Sequence, residues 1–125
     1  MKLFITMLVL VGVSFSAQAQ GSALLTERIQ TPQLLCDLCK TRVETYLKRV
    51  DGVRQVTINI RKGETLVKFL RDRTNIEEIK TAIANQGFDA GDITANEESY
   101  NRLPITCKKP EDGGKHPKPR PAAEQ

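Results

Sequence analysis

Cys36 and Cys39, in the stretch Leu34-Leu35-Cys36-Asp37-Leu38-Cys39-Lys40, are the side chains of this sequence best suited to chemistry. They stand where an extended run gives way to an amphipathic helix, and residues at i and i+3 share a helix face, so both sulfurs can point to one side. A helix N-terminus offers unpaired N–H groups and partial positive charge, which favour a thiolate over a thiol. The thiolate is the form that binds metal. Sulfur is soft and polarisable, so a two-thiolate site suits Cu(I), with Hg(II) or Zn(II) as alternatives, far better than calcium or magnesium. Two protein ligands do not make the closed four-ligand cage of structural zinc. Between the cysteines, Asp37 and Leu38 are expected to shape an exposed loop and a partner's docking surface. Lys40 is placed either to offset thiolate charge or simply to be solvated.

The elements around this pair follow from hydrophobic period. Glu27 to Thr31 alternates as a strand with Ile29 and Thr31 on one face, closed by Pro32. From Cys39 onward Val43, Leu47 and Val50 recur at helical spacing until Asp51-Gly52 stops the helix. Val53 to Ile60 places Val56, Ile58 and Ile60 at period two, Lys62-Gly63-Glu64 turns the chain, and Thr65 to Leu70 returns with Val67 and Phe69 inward. A second helix runs from about Asn75 to Asn85 with Ile76, Ile79 and Ile83 on one face, capped by Thr74 or Asn75 and ended by Gly87. A short last strand is expected near Asp92 to Thr94. The order strand, helix, strand, strand, helix, strand is an α+β, ferredoxin-like sandwich, with two helices on one face of a four-stranded antiparallel sheet.

The flanking segments set the organisation of the chain. Met1 to Ala19 reads as a secretory signal, with Lys2 as the charged start, an apolar run from Leu3 to Val13 and Ala17-Gln18-Ala19 for cleavage. That run is short of the roughly 20 residues of a spanning helix, so no membrane span is expected after its removal, and the location is periplasmic or secreted. Residues 20–26 are a flexible lead-in, 27–95 the folded domain, and 96–107 an extension in which Asn96 to Leu103 forms a short helix with Tyr100 and Leu103 packing back. Residues 108–125 are rich in Pro, Gly and Lys and are expected to be disordered.

Charge excludes one class of partner. Loss of Lys2 lowers the formal charge from +4 to +3, and the tail after Cys107, with five basic and three acidic residues, carries +2 of that. The folded part is nearly neutral, so nucleic acid, which needs clustered Lys and Arg on a folded face, is not an expected partner.

Export would allow disulfides, and the cysteine count is three, so pairing leaves one over. Cys107 has three readings: a third thiolate for the metal, a disulfide to Cys36 or Cys39 that gates binding, or a free or intermolecular thiol at a domain edge. His116 is a lone histidine in the tail and is read as solvated rather than as a ligand. Cys-x-x-Cys at a helix start also serves thiol–disulfide exchange, but the thioredoxin-like fold wants a longer α/β chain and another strand order. A module that retains the fold for protein interaction alone is the third class.

Residues 29–90 resemble the heavy-metal-associated domain of copper chaperones, of the amino-terminal segments of copper-pumping ATPases and of the periplasmic mercury-binding protein. The resemblance rests on Pro32-Gln33-Leu34-Leu35-Cys36-Asp37-Leu38-Cys39, then Asp51-Gly52-Val53, then Gly87-Phe88-Asp89-Ala90. Gln33 stands where the family usually has glycine and Leu34 where it has methionine; Leu and Met exchange at little cost in a core. The resemblance implies that Cys36 and Cys39 bind the ion, that Phe88 packs close by, and that no covalent reaction is catalysed. The expected function is that of a metal carrier or scavenger, a monomer or a weak dimer through a sheet edge or a shared ion, that exchanges metal with a donor or acceptor such as a membrane metal transporter.

Overall fold

The computed structural model describes residues 23–120; the signal-like segment Met1–Ala19 lies outside them. Three strands form the sheet: β1 (Leu24–Gln30), β2 (Val53–Asn59) and β3 (Glu64–Leu70), in the antiparallel order β1-β3-β2. Two helices, α1 (Asp37–Leu47) and α2 (Ile76–Asn85), bring Cys39, Val43 and Leu47 and Ile79, Ile83 and Ala84 to the core. These join Ile29, Val56, Ile58, Val67 and Phe69 of the sheet. The register places Ile29 opposite Thr65 and Glu27 opposite Val67, so period-two alternation presents one strand face to the helices. The class is α+β. Among the described residues no helix is long and apolar enough to cross a membrane.

Several boundaries differ from expectation. β1 begins at Leu24, inside the stretch read as a flexible lead-in, because Leu24 to Thr26 pair with Lys68 to Leu70. α1 begins at Asp37 rather than Cys39, with Cys36 as its extended N-cap, and ends before Val50. Asn75 caps α2 by accepting from the Glu78 amide.

The fourth strand is not formed. After Asp89, Gly91 turns the chain with φ +58, and Ala90 and Ile93 bond to each other at 2.9 and 3.0 Å. This tight turn uses the backbone groups that a strand would offer to β1. A single bond survives there, from the Gly91 amide to the Gln30 carbonyl at 2.8 Å.

The chain then crosses back over the domain. A third helix, α3 (Glu97–Asn101), is capped by Asn96 and followed by 3-10 turns at Ile105–Cys107 and Pro110–Asp112. Leu103 is buried, as expected, while Tyr100 packs half-buried against the core. The stretch after Cys107, expected to be disordered, is placed as far as residue 120: the Lys115 amide donates to Ile105 and the Arg120 amide to the Asp37 carboxylate. One bond to the extension and one to the Asp37 side chain on α1 hold it where composition alone would not.

Candidate metal centre

The site lies where the β1–α1 loop meets α1. The Thr31 amide bonds the Gly63 carbonyl in the β2–β3 turn, and its hydroxyl bonds that of Thr65 at 2.8 Å, so the exit of β1 is fixed from two sides. Leu34, fully buried, fills the base of the loop. Cys36 then takes the extended N-cap conformation and Cys39 follows in the first turn of α1. The i, i+3 relation predicted from spacing is therefore realised: the two sulfurs lie 2.9 Å apart.

Gln33, which stands where the family usually has glycine, is 8% exposed and acts as a latch. Its side-chain amide donates to Asp89 Oδ2 at 2.6 Å, and its carbonyl accepts from the Asp89 amide at 3.2 Å. Asp89 Oδ1 accepts in turn from the Ala95 amide, and Lys109 Nζ stands 3.6 Å from Oδ2. The loop before the cysteines is thereby tied to the chain after Phe88. Phe88 itself is fully buried in the same core cluster as the cysteines.

The third sulfur comes from the extension. Cys107 is bonded to Cys39 as a disulfide, with their Cα atoms 5.6 Å apart, and Cys36 remains a buried thiol. Of the three readings of Cys107, this arrangement is that of the disulfide to Cys39. All three sulfurs fall within 4.8 Å of one another, and their residues are no more than 1% exposed. The Thr106 carbonyl oxygen accepts from the Cys36 thiol at 3.4 Å and lies 3.2 Å from Cys39 Sγ. The sulfurs were expected to sit in an exposed loop; instead the extension covers them. Leu38 and Ile105 remain at the surface, 55% and 49% exposed, while Asp37 and Lys40 are half-buried.

The extension is anchored by bonds of its own. The Asn96 amide donates to Ala84 at 2.9 Å. The Tyr100 hydroxyl donates to the Asp112 carboxylate and accepts from the Lys109 amide. Burial first, and then that carboxylate, push the phenol above its ordinary value. His116 bonds the Lys108 carbonyl and is not among the clustered ligands. Thr106, Gln33 and Asp89 were not singled out as site residues from sequence; the polar Gln33 ahead of the cysteines was the available signal for the latch.

The donor set fits a soft cation once the disulfide is reduced. Metal–thiolate bonds of about 2.3 Å place sulfurs roughly 4 Å apart around a three-coordinate ion; the three sulfurs here lie within 4.8 Å of one another, and the 2.9 Å between Cys36 and Cys39 would widen to admit it. Among the described residues no other group of three or more His, Cys, Asp or Glu is so clustered.

Comparison with known proteins agrees with this chemistry. A model of the heavy-metal-associated domain matches residues 28–89. Over 64 residues the chain is 39% identical to the copper chaperone CopZ of Staphylococcus saprophyticus, covering 51% of this chain and 94% of that protein. It is 33% identical over 69 residues to a copper-exporting P-type ATPase of Staphylococcus epidermidis, covering 55% of this chain but only 9% of the ATPase. The structure of oxidised MerP from Ralstonia metallidurans CH34 superposes with a TM-score of 0.53 at 23% identity, over 55% of this chain and 96% of that one. At that identity the likeness concerns the fold. Cys107 and the extension lie beyond the matched span.

Proposed function

The chain belongs to the heavy-metal-associated domain family, and from that premise we propose that it carries one soft metal ion, Cu(I), between Cys36 and Cys39 and passes it on by thiolate exchange. The observation that carries this reading is the convergence of the two cysteines at the start of α1, 2.9 Å apart at their sulfurs. The relation to a copper chaperone favours copper over Hg(II) or Zn(II), and thiolate softness favours the monovalent ion. The partner is a thiol-bearing metal donor or acceptor, such as the metal-binding domain of a membrane transporter, in line with the ATPase relative. The four-stranded ferredoxin-like layout of that family is here a three-stranded version. Export to the periplasm or beyond rests on the Met1–Ala19 pattern alone.

Exchange proceeds by ligand substitution: an acceptor thiolate bonds the ion, a donor thiolate leaves, and no covalent bond is catalysed. Because the extension covers the sulfurs, transfer requires it to open at Thr106. Anaerobic titration of the reduced protein with Cu(I), read by mass spectrometry, is expected to saturate at one equivalent, and the double variant Cys36→Ser/Cys39→Ser to lose tight binding. Retention of tight binding by the double variant would refute the assignment.

The Cys39–Cys107 disulfide favours a second reading, a thiol–disulfide protein. Metal-independent reduction of insulin by the reduced chain would select it.

A further inference from the structure

We propose that the extension is part of the metal centre: in the reduced protein Cys107 supplies a third thiolate, so one Cu(I) is held by Cys36, Cys39 and Cys107. This rests on the carrier reading above and adds to it a ligand from outside the family domain. Cys107 is 1% exposed and its sulfur is within 4.8 Å of both others. What holds it there does not depend on the disulfide. α3 is seated against Gly87, where a Cβ would come within 3.0 Å of the Ser99 and Tyr100 backbone. Leu103 is in the core, Asn96 bonds Ala84, and the Tyr100 hydroxyl ties Asp112 to Lys109. The turn Ile105–Cys107 is closed by the Cys107 amide on the Pro104 carbonyl at 2.8 Å. Reduction therefore frees the Cys107 sulfur without removing it from the site.

The oxidation state then decides whether the site exists. With Cys39 bonded to Cys107, Cys36 is the one thiol left, and a single thiolate is a poor trap for an ion. A dithiol reductant breaks the Cys39–Cys107 bond, giving up two electrons and two protons and becoming a disulfide itself, and leaves thiols on both residues. Cu(I) entry displaces the protons of the three thiols to solvent and forms three sulfur–copper bonds. A three-sulfur site holds copper more tightly than a pair and releases it when the extension lifts Cys107 away.

X-ray absorption on the reduced, Cu(I)-loaded protein tests this, with native mass spectrometry confirming one chain per copper. Three sulfurs per copper are expected in the wild type and two in Cys107→Ser. That variant is expected to lose copper to a competing chelator with an affinity lower by more than about tenfold, the least that loss of even an outer partner of a metal ligand costs. Two sulfurs in the wild type, or three reached only by two chains sharing an ion, overturns the proposal and leaves the carrier reading standing. Failure of the reduced wild type to take up Cu(I) at all overturns the carrier reading itself. The wild-type sulfur count decides the matter even where the variant folds poorly.

Discussion

Gln33 shows how one residue at an unusual position changes the site. Its two hydrogen bonds to Asp89 join the loop before Cys36 to the chain after Phe88, a separation of 56 residues. Hydrogen bonds to a charged partner are worth about 1.5–3 kcal/mol, and Asp89 keeps its bond from Ala95 when Gln33 is lost. Gln33→Ala is therefore expected to cost about 1–3 kcal/mol in urea unfolding; a change within error would show that the latch bears no load. Cys36 and Cys39 were legible in the sequence because their relation is local, set by one helical turn. The Cys39–Cys107 bond was not, since it spans 68 residues and no periodicity relates such distant positions. Leu34 behaves as expected of a buried apolar residue, whereas the exposure expected of the cysteines depended on ignoring what covers them.

The elements read from the sequence were those with a strong hydrophobic period. α2 carries Ile79 and Ile83 on one face and has a side-chain cap, while β3 alternates throughout and β2 does so from Gln55 onward, past a register shift after Val53. The fourth strand failed because Gly91 and the Ala90–Ile93 turn closed the backbone locally, a choice of hydrogen-bond partner that side-chain pattern does not encode. Lys80 binds this turn to α2, bridging Glu77 at 3.1 Å and Asp92 at 2.9 Å. The hydrogen bond from Lys80 is the main cause that holds the Asp92 carboxyl below its ordinary value. A lowered carboxylate stabilises above its ordinary range and ceases to do so as pH falls through the lowered value. The melting-temperature difference between wild type and Asp92→Asn is thus expected to be small but present at neutral pH, since the pair is exposed, and to vanish in strong acid. A difference that persisted there would assign it to something other than the ion pair. Gly87 has φ +96 and carries α3 on its bare Cα. Gly87→Ala is expected to cost about 1–3 kcal/mol and, by unseating α3, to speed alkylation of the Cys36 thiol in the native protein. Unchanged alkylation would mean that α3 does not hold the extension over the sulfurs.

At the scale of the molecule, a small domain is closed over its own reactive end by a segment that the family match does not include. The packing back of Tyr100 and Leu103 was legible in the sequence, but the path of residues 104–120 was not, because they carry few apolar side chains. They are held largely by individual polar bonds, such as Tyr100 to Asp112 and the Arg120 amide to Asp37. The closure unites two properties that the sequence left as alternatives: Cys107 is both the disulfide partner of Cys39 and a candidate ligand within reach of the ion. On the proposal above, metal capacity follows oxidation state, since one soft ion needs sulfurs that the disulfide withholds. The most direct measurement is native mass spectrometry of the oxidised and the fully reduced protein, each offered one equivalent of Cu(I) without oxygen. Retention of one copper by the reduced chain and of none by the oxidised chain is the expected result; equal retention by both, or by neither, would contradict it.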